Sequence, residues 1–274
     1  MKRNYTWLLL SVIAFASCTS PKYYVYSPTP PVNPFFKDKG DTKISAYMTG
    51  ASGTRLPGAD LQAAYALTDN LAISGAFSTR RERDRYYKSD GSWSDSVVNY
   101  YDRTMGEVGA GYFTTINSKR TATFNLYGGF SWGEYQLTEN GIDHQDIRYT
   151  RRFESDIKKW YVQPSIHFMP GKVFRIGLVT RFSFVTYDNI RTGFTDDELN
   201  VRTLNLVRDK TFFAVEPTVN FQFAFPQQWI KLDMGITFCP PYIDSYNYSE
   251  LRYRTVSASI GLTFDLSKIS SDKE

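Results

Sequence analysis

The stretch Val256-Ser257-Ala258-Ser259-Ile260-Gly261-Leu262-Thr263-Phe264-Asp265-Leu266 alternates without a break between apolar and small or polar residues. A period of two puts Val256, Ala258, Ile260, Leu262, Phe264 and Leu266 on one face of a strand and the polar set on the other. The same pattern recurs towards the N-terminus. Ile230, Leu232, Met234, Ile236 and Phe238 oppose Lys231, Asp233, Gly235 and Thr237. Phe213, Val215, Pro217, Val219, Phe221, Phe223 and Phe225 oppose Glu216, Thr218, Asn220 and Gln222. Further strands centre on Phe174–Phe184, Trp160–Phe168, Ala122–Trp132, Leu71–Phe77 and Leu61–Leu67. Weaker alternation over 43–49 and 100–113 adds two more. No stretch has a helical period.

The connections alternate in length. Short turns are expected at Thr68-Asp69-Asn70, Asn117-Ser118, Pro170-Gly171 and Pro226-Gln227-Gln228. Longer polar connections are expected near 80–99, 137–150, 188–210 and 240–250, with an intermediate one at 50–57. Strands of about 9–11 residues with short turns at one rim and long loops at the other are the pattern of an up-and-down antiparallel transmembrane β-barrel. The count is about ten strands, and an even number closes such a barrel. Both termini then fall on the short-turn, periplasmic side. Pro164 and Pro217 lack a ladder donor and are expected at strand interruptions or bulges.

Composition agrees. The 274 residues are 42% hydrophobic and 22% charged, close to a globular average, which excludes disorder throughout, and 20 Tyr, 20 Phe and 5 Trp suit pleated surfaces and membrane-interface girdles. Trp132, Trp160, Tyr187, Trp229, Tyr242 and Tyr253 are the girdle candidates. A net charge of +4 is too small to argue for nucleic acid, and two Cys exclude a disulfide scaffold. The less greasy strand face is mostly Gly, Ser, Thr, Asn, Gln and Tyr, as in a membrane-barrel lumen rather than the outside of a soluble barrel. Its charges, Glu107, Arg175, Arg181, Glu216, Lys231 and Asp233, include both signs and are expected to pair and plug a narrow interior.

The N-terminus reads as a targeting segment. Lys2 and Arg3 precede an apolar run from Leu8 to Ala16 that is too short to span a membrane. Phe15-Ala16-Ser17-Cys18 resembles a bacterial lipobox, with Phe15 in place of the usual Leu. The resemblance implies a signal peptide over 1–17 and lipidation of Cys18. Thr19 after Cys18 implies sorting to the outer membrane, and the acidic surface-export signal of some Bacteroidota lipoproteins is absent. Residues 18–40 hold Pro21, Pro28, Pro30, Pro31 and Pro34, and read as a lipidated N-terminus with a Pro-rich tether. The barrel domain is expected over 41–266 and a short polar tail over 267–274.

Ser259, Gly261, Phe264 and Leu266 resemble the C-terminal assembly signal of outer-membrane barrels, although eight further residues follow here. Lipobox, Pro-rich segment and barrel together resemble the small outer-membrane barrels common in Bacteroidota. That resemblance implies outer-membrane lipids and the barrel assembly machinery as partners.

Little chemistry is legible. His144 lies in a polar loop beside Asp143 and Asp146, without a second His or Cys to make a metal site. Ser165 and His167 share a strand face, but lie rather far apart for a direct hydrogen bond and have no orienting third group. No catalytic residue, metal or cofactor is assigned, and a lipid hydrolase is the weakest alternative. Arg80, Arg81, Arg83, Arg85 and Lys88 form one basic cluster, and Arg148, Arg151, Arg152, Lys158 and Lys159 a second at the same rim. Of these, Arg80, Arg81, Arg83, Arg85, Lys88, Arg151 and Arg152 are the expected contacts to lipopolysaccharide phosphates. The leading expectation is a barrel lipoprotein with a structural or surface-interaction role. The alternatives are a narrow-pore transporter and a soluble, lipid-anchored barrel carrying an apolar ligand inside.

Overall fold

The computed structural model describes residues 23–51, 57–86, 97–142, 147–171, 173–208, 210–240, 242–244 and 249–271. A three-residue strand, β1 (Tyr24–Tyr26), precedes the barrel. The barrel strands are β2 (Thr42–Ala51), β3 (Gly58–Ala66), β4 (Leu71–Tyr86), β5 (Val97–Thr115), β6 (Ala122–Ile142), β7 (Arg148–Phe168), β8 (Phe174–Thr192), β9 (Thr211–Ala224), β10 (Ile230–Phe238) and, after a hairpin, β13 (Val256–Asp265). Each pairs with the next, and β13 closes on β2, giving an antiparallel ten-strand barrel with no free edge. The short turns fall where the sequence places them, and they define one rim, the turn end. The opposite rim is the loop end.

Alternation sets the inside and the outside. Across the closing seam, Ile260 stands beside Met48 and Leu262 beside Ala46, all facing out. Met48 (60% exposed), Leu61, Phe77, Val108, Leu126, Trp160 (63% exposed), Leu178, Phe213 and Ile236 continue that belt around the barrel. Inside are Lys43, Asp60, Glu107, Asn125, Gln163, Arg181, Glu216 and Lys231, all buried. The expectation of an apolar internal ligand cavity is therefore overturned, because the greasy face points outward.

The middle strands are much longer than expected. β6 and β7 have 21 residues each, and most of 80–86, 137–142, 148–150 and 188–192 is strand rather than loop. The cause is an inversion of polarity along each strand. On β7 the outward residues Trp160, Val162, Ile166 and Phe168 are apolar, whereas nearer the loop end the inward Phe153 and Ile157 are. β8 changes the same way, from outward Leu178 and Phe184 to inward Val185 and Tyr187. The outer face leaves an apolar surrounding, while the inner face meets a dry core at the loop end.

That core gathers Tyr101, Tyr135, Leu137, Phe153, Ile157, Leu199, Leu204, Val207, Phe212 and Tyr253 with Val25 and Tyr26. It contains α1 (Asp196–Val201), the 3-10 turn Leu204–Val207 and a small sheet in which β1 pairs with β12 (Ser249–Tyr253), and β12 with β11 (Tyr242–Asp244). Helix α1 begins with a capping box between Thr195 and Glu198, so no helical period was needed to start it. The tail expected over 267–274 instead begins as a short helix, α2 (Leu266–Ser271).

Both awkward prolines sit where a ladder has lapsed. β7–β8 pairing runs to Val162 and resumes at Ser165, skipping Pro164. β9–β10 pairing stops at Thr218, next to Pro217. Of the girdle candidates, Trp132 and Trp160 face out and flank the Phe130 ring. Tyr187 and Tyr253 are instead buried in the loop-end core. Trp229 lies at the turn end, partly buried against Phe264.

Candidate functional site

Among the described residues, chemistry-bearing side chains converge in the lumen, and it is nearly filled. Residues 25–32 and 34–36 are buried inside the barrel. The Pro-rich segment is thus no external tether over the residues described. It enters at the loop end, runs down the interior and joins β2 at the turn end.

The local reason lies in hydrogen-bond accounting. Pro28, Pro30, Pro31 and Pro34 carry no N–H, so this backbone brings mostly acceptors into the barrel. The wall supplies donors for them. Tyr135 Oη donates to Tyr24 O at 2.7 Å and Tyr187 Oη to Val25 O at 2.5 Å. Gln62 Nε2 donates to Pro30 O at 3.0 Å, Gln163 Nε2 to Val32 O at 2.8 Å and Asn125 Nδ2 to Pro34 O at 3.4 Å. Side chains add Tyr26 Oη to Glu216 (2.8 Å) and Ser27 Oγ to Glu82 (2.9 Å). Lower down, His167 Nε2 meets Asn33 Oδ1 at 2.6 Å.

Around the segment, the lumen charges lie in three tiers and most are ion-paired, whereas Arg175, Glu216 and Asp233, expected to pair, are held by neutral hydrogen-bond partners. In the middle tier Arg181 grips Glu107 with both terminal nitrogens at 3.0 Å and donates from Nε to Gln163 at 2.9 Å. Ser131 also donates to Glu107 (2.9 Å), and Lys159 stands 3.7 Å away. The Arg181 guanidinium lies 4.3 Å over the Tyr161 ring. A bidentate guanidinium–carboxylate pair in a buried site is among the strong contacts of the lumen. Towards the loop end, Arg254 pairs with Glu82 (3.0 Å) and Asp84 (2.6 Å), and Arg80 with Asp60 (3.9 Å). Towards the turn end, Lys43 and Lys231 both reach Asp265 at 2.8 Å. Asp233 accepts from Thr263 there, and Arg175 donates to Gln222 at 2.9 Å while lying 4.6 Å over Phe35 of the segment.

All six charges assigned to the lumen from sequence are therefore inside it. Sequence reading missed Lys43, Asp60, Arg80, Glu82, Asp84, Arg103, Lys159, Arg254 and Asp265. Arg80 and Lys159 were expected at the lipid-facing rim. Each instead occupies an inward strand position, and Arg80 donates to Ser257 at 3.2 Å. Arg151 is tied to Glu198 at the mouth. Arg81 and Arg83 point outward on β4, where Arg81 pairs with Asp102 at 2.7 Å and Arg83 lies over Tyr100. Arg85 and Arg152 are exposed, and Lys88 and His144 lie outside the described residues.

A cavity of about 60 Å³ remains beside the segment, lined by Asn33, Phe35, Lys43, Tyr47, His167, Arg175 and Asp233 among others. It has room for a few waters only. Ser165 and His167 are both buried on β7; His167 borders the cavity, and its ring is engaged by Asn33 and Asn125 rather than by Ser165. Among the described residues no cluster of three His, Cys, Asp or Glu is placed to hold a metal. Ser259 and Gly261 face the lumen, whereas Phe264 and Leu266 face out.

No protein-family model matches the chain, and neither does any curated protein sequence. Solved outer-membrane barrels are similar in fold. The outer membrane protease OmpT of Escherichia coli shares 8% identity over 83% of this chain and 94% of its own, with a TM-score of 0.46. The translocator domain of the autotransporter NalP from Neisseria meningitidis shares 9% over 82% and 86%, also at 0.46. The porin KdgM shares 10% over 81% and 98%, at 0.37. The exposed apolar belt and the polar interior, not these likenesses, are what bear on a membrane setting.

Proposed function

We propose that this protein is an outer-membrane β-barrel lipoprotein, acylated at Cys18, whose barrel is closed by its own N-terminal segment and serves a structural or surface-interaction role. The observation that carries this reading is the inverted solvation of the barrel. A continuous apolar belt faces outward, and buried paired charges fill the interior. In water such a molecule would expose a band of Met48, Phe77, Trp160 and Leu178 far larger than a monomer tolerates. In a bilayer that band is solvated by lipid.

The plug favours a closed barrel over a narrow pore, because it is apolar at both ends. The loop-end core seals one mouth, and Val32, Phe36, Ala66, Phe113 and Tyr127 seal the other. We assign no catalytic role to the buried Ser165–His167 pair. The outward Arg81, Arg83, Arg85 and Arg152 stand just beyond the belt, where lipopolysaccharide phosphates would lie. Insertion by the barrel assembly machinery is part of the same reading.

Two measurements on the purified outer-membrane fraction test it. Gel mobility should shift on boiling in detergent, and the protein should give no conductance steps in a planar bilayer across ionic conditions. A stepwise ionic current from the unmodified chain would return the narrow-pore alternative. Release into the soluble fraction once Cys18 is replaced, with no heat shift, would remove the membrane barrel altogether.

A further inference from the structure

The lumen is not filled evenly. Between Pro30 and Pro34 the N-terminal segment makes its hydrogen bonds to β3, β6 and β7. The wall of β8, β9, β10 and β13, in the turn-end half, faces the cavity of about 60 Å³. Strand register explains the space. Gly177, Asn220, Gly235 and Ser259 form one inward row across those four strands. Its two glycines have no side chain, and Ser259 has a short one. Tyr47, Asn220, Gln222 and Ser259 line the cavity and are only half-buried, although they face inward. One row nearer the turn end stand Arg175, Gln222 and Asp233, side by side.

Arg175 is the misfit of this wall. It is 8% exposed, and among the described residues no carboxylate lies within ion-pair distance of it. Its Nη1 donates to Gln222 at 2.9 Å, and its guanidinium lies over Phe35. Its Nε is buried with no partner. Nε is one arm of the side-on edge with which a guanidinium takes a carboxylate in a two-pronged grip. The neighbouring charges leave an excess of one. Lys43, Arg175 and Lys231 are three buried cations against two buried carboxylates, Asp233 and Asp265. Asp265 is held by both lysines, and Asp233 accepts from the hydroxyls of Thr263 and Tyr47. A buried cation without a counter-charge is costly, and one added negative charge removes the excess.

We infer that this cavity binds a small carboxylate anion, of acetate size, gripped by Arg175. Volume sets the upper limit. At about 10–15 Å³ for each water-sized probe, the cavity holds about four to six waters, so a solute of about four or five heavy atoms fits and a sugar does not. A carboxylate brings one negative charge, which matches the excess, and its planar oxygens match the guanidinium edge that carries Nε. The inference rests on the packing of the lumen alone, and holds whether or not the chain is acylated.

The test uses the full-length protein in detergent micelles and reads the binding of sodium acetate by saturation transfer from the protein to the acetate methyl protons. Half-saturation is expected on the order of 1–10 mM. Acetamide has the same size and no charge, and should bind at least about tenfold more weakly. Arg175→Gln should weaken acetate at least about tenfold. Gly235→Ala is a second variant that leaves Arg175 in place. A Cβ there would meet Asn220 Oδ1 and Ser259 Oγ at 2.7 Å, displacing two side chains that line the cavity. It should weaken acetate at least about threefold. The heat-dependent gel shift shows that each variant is folded. Equal binding of acetate and acetamide, or unchanged acetate binding by Arg175→Gln, would overturn the site. So would the lack of saturable acetate binding up to about 100 mM. Tighter binding of inorganic phosphate than of acetate would overturn the carboxylate assignment. Conductance and the wild-type gel shift are read separately, so failure of the closed barrel and failure of this site are distinguishable.

Discussion

Replacing Glu107 with alanine removes the carboxylate that Arg181 grips in the middle tier of the lumen and leaves only Glu216, across the ladder from Arg181, to face the two cations. Arg181 loses both contacts of 3.0 Å, Ser131 loses its acceptor, and Lys159 loses an anion at 3.7 Å. Both cations are 1% exposed, so water does not replace the missing charge. Breaking a buried pair by deleting one partner costs about 3–5 kcal/mol. Were the lumen an open aqueous pore, the same pair would be worth about 0–1 kcal/mol. The two cases differ by enough to decide between them. Unfolding by urea in detergent micelles, followed by tryptophan fluorescence, reads the difference. At a slope of about 2 kcal/mol per molar, the midpoint should fall by about 2 M. Glu107→Ala combined with Arg181→Ala should cost less than the two changes added together, with a coupling of about 2–3 kcal/mol. A single-variant loss under about 1 kcal/mol, with additive behaviour in the pair, would refute the closed lumen.

Other expectations follow from the same geometry. Leu178→Arg puts a charge on the belt and should cost about 2–4 kcal/mol and lower the yield of folding into vesicles, whereas Lys158→Ala, beyond the belt, should be nearly silent. Gly129→Val would drive a side chain into the Tyr161 phenol and the Val108 carbonyl; overpacking of about 1–3 kcal/mol is expected, seen as a lower temperature for the gel-mobility shift. Pro30→Ala adds an N–H to a segment lined by donors, and should lower the urea midpoint by an amount equivalent to about 1 kcal/mol or more; no change would show that water reaches that backbone. Glu139→Gln weakens the anchor of Arg202 and Tyr23 at the mouth. Burial, then the Glu139 carboxylate, hold the Tyr23 phenol well above its ordinary range, so it remains a donor at every physiological pH. The variant should therefore lower the urea midpoint, relative to wild type, by the same amount at pH 6 and at pH 9.

The barrel was legible because one physical signal dominates it. Strict alternation in β10 and β13 reports a surface with lipid on one side and polar packing on the other, and the turn residues mark one rim. The upper halves of β5 to β8 were not legible for a related reason. Beyond the belt the apolar face switches from outward to inward, as between Trp160 and Ile157 on β7, and a broken alternation reads as loop. A search for a change of parity, rather than for its loss, would have found these strands. Thr195-Asp196-Asp197-Glu198 carried a capping box that marks α1 despite its single turn.

The site divided along the same line. Charges flanked by belt residues, such as Arg181 and Glu216, could be assigned to the lumen from parity alone. Arg80 and Lys159 could not, since they neighbour other cations in sequence and separate from them only when alternate residues turn to opposite faces. The Pro-rich segment was misread because its composition suits a spacer as well as a plug. Its prolines remove donors that a lumen would have to satisfy, and Gln62, Asn125 and Gln163 on three inward faces are the matching donors. That complementarity is visible only once the strands are folded around it.

The placement of that segment is the central claim, and Ser27 tests it most directly. Ser27 is 3% exposed, beside Glu82 and near the Arg80 guanidinium. Ser27→Cys is a small change, made with Cys18 and Cys239 replaced and the protein folded into vesicles. A small water-soluble thiol reagent should leave Cys at this position unmodified in the folded protein over hours, and modify it within minutes once the protein is boiled in detergent. Immediate modification of the folded protein would place the segment outside the barrel and contradict the plug.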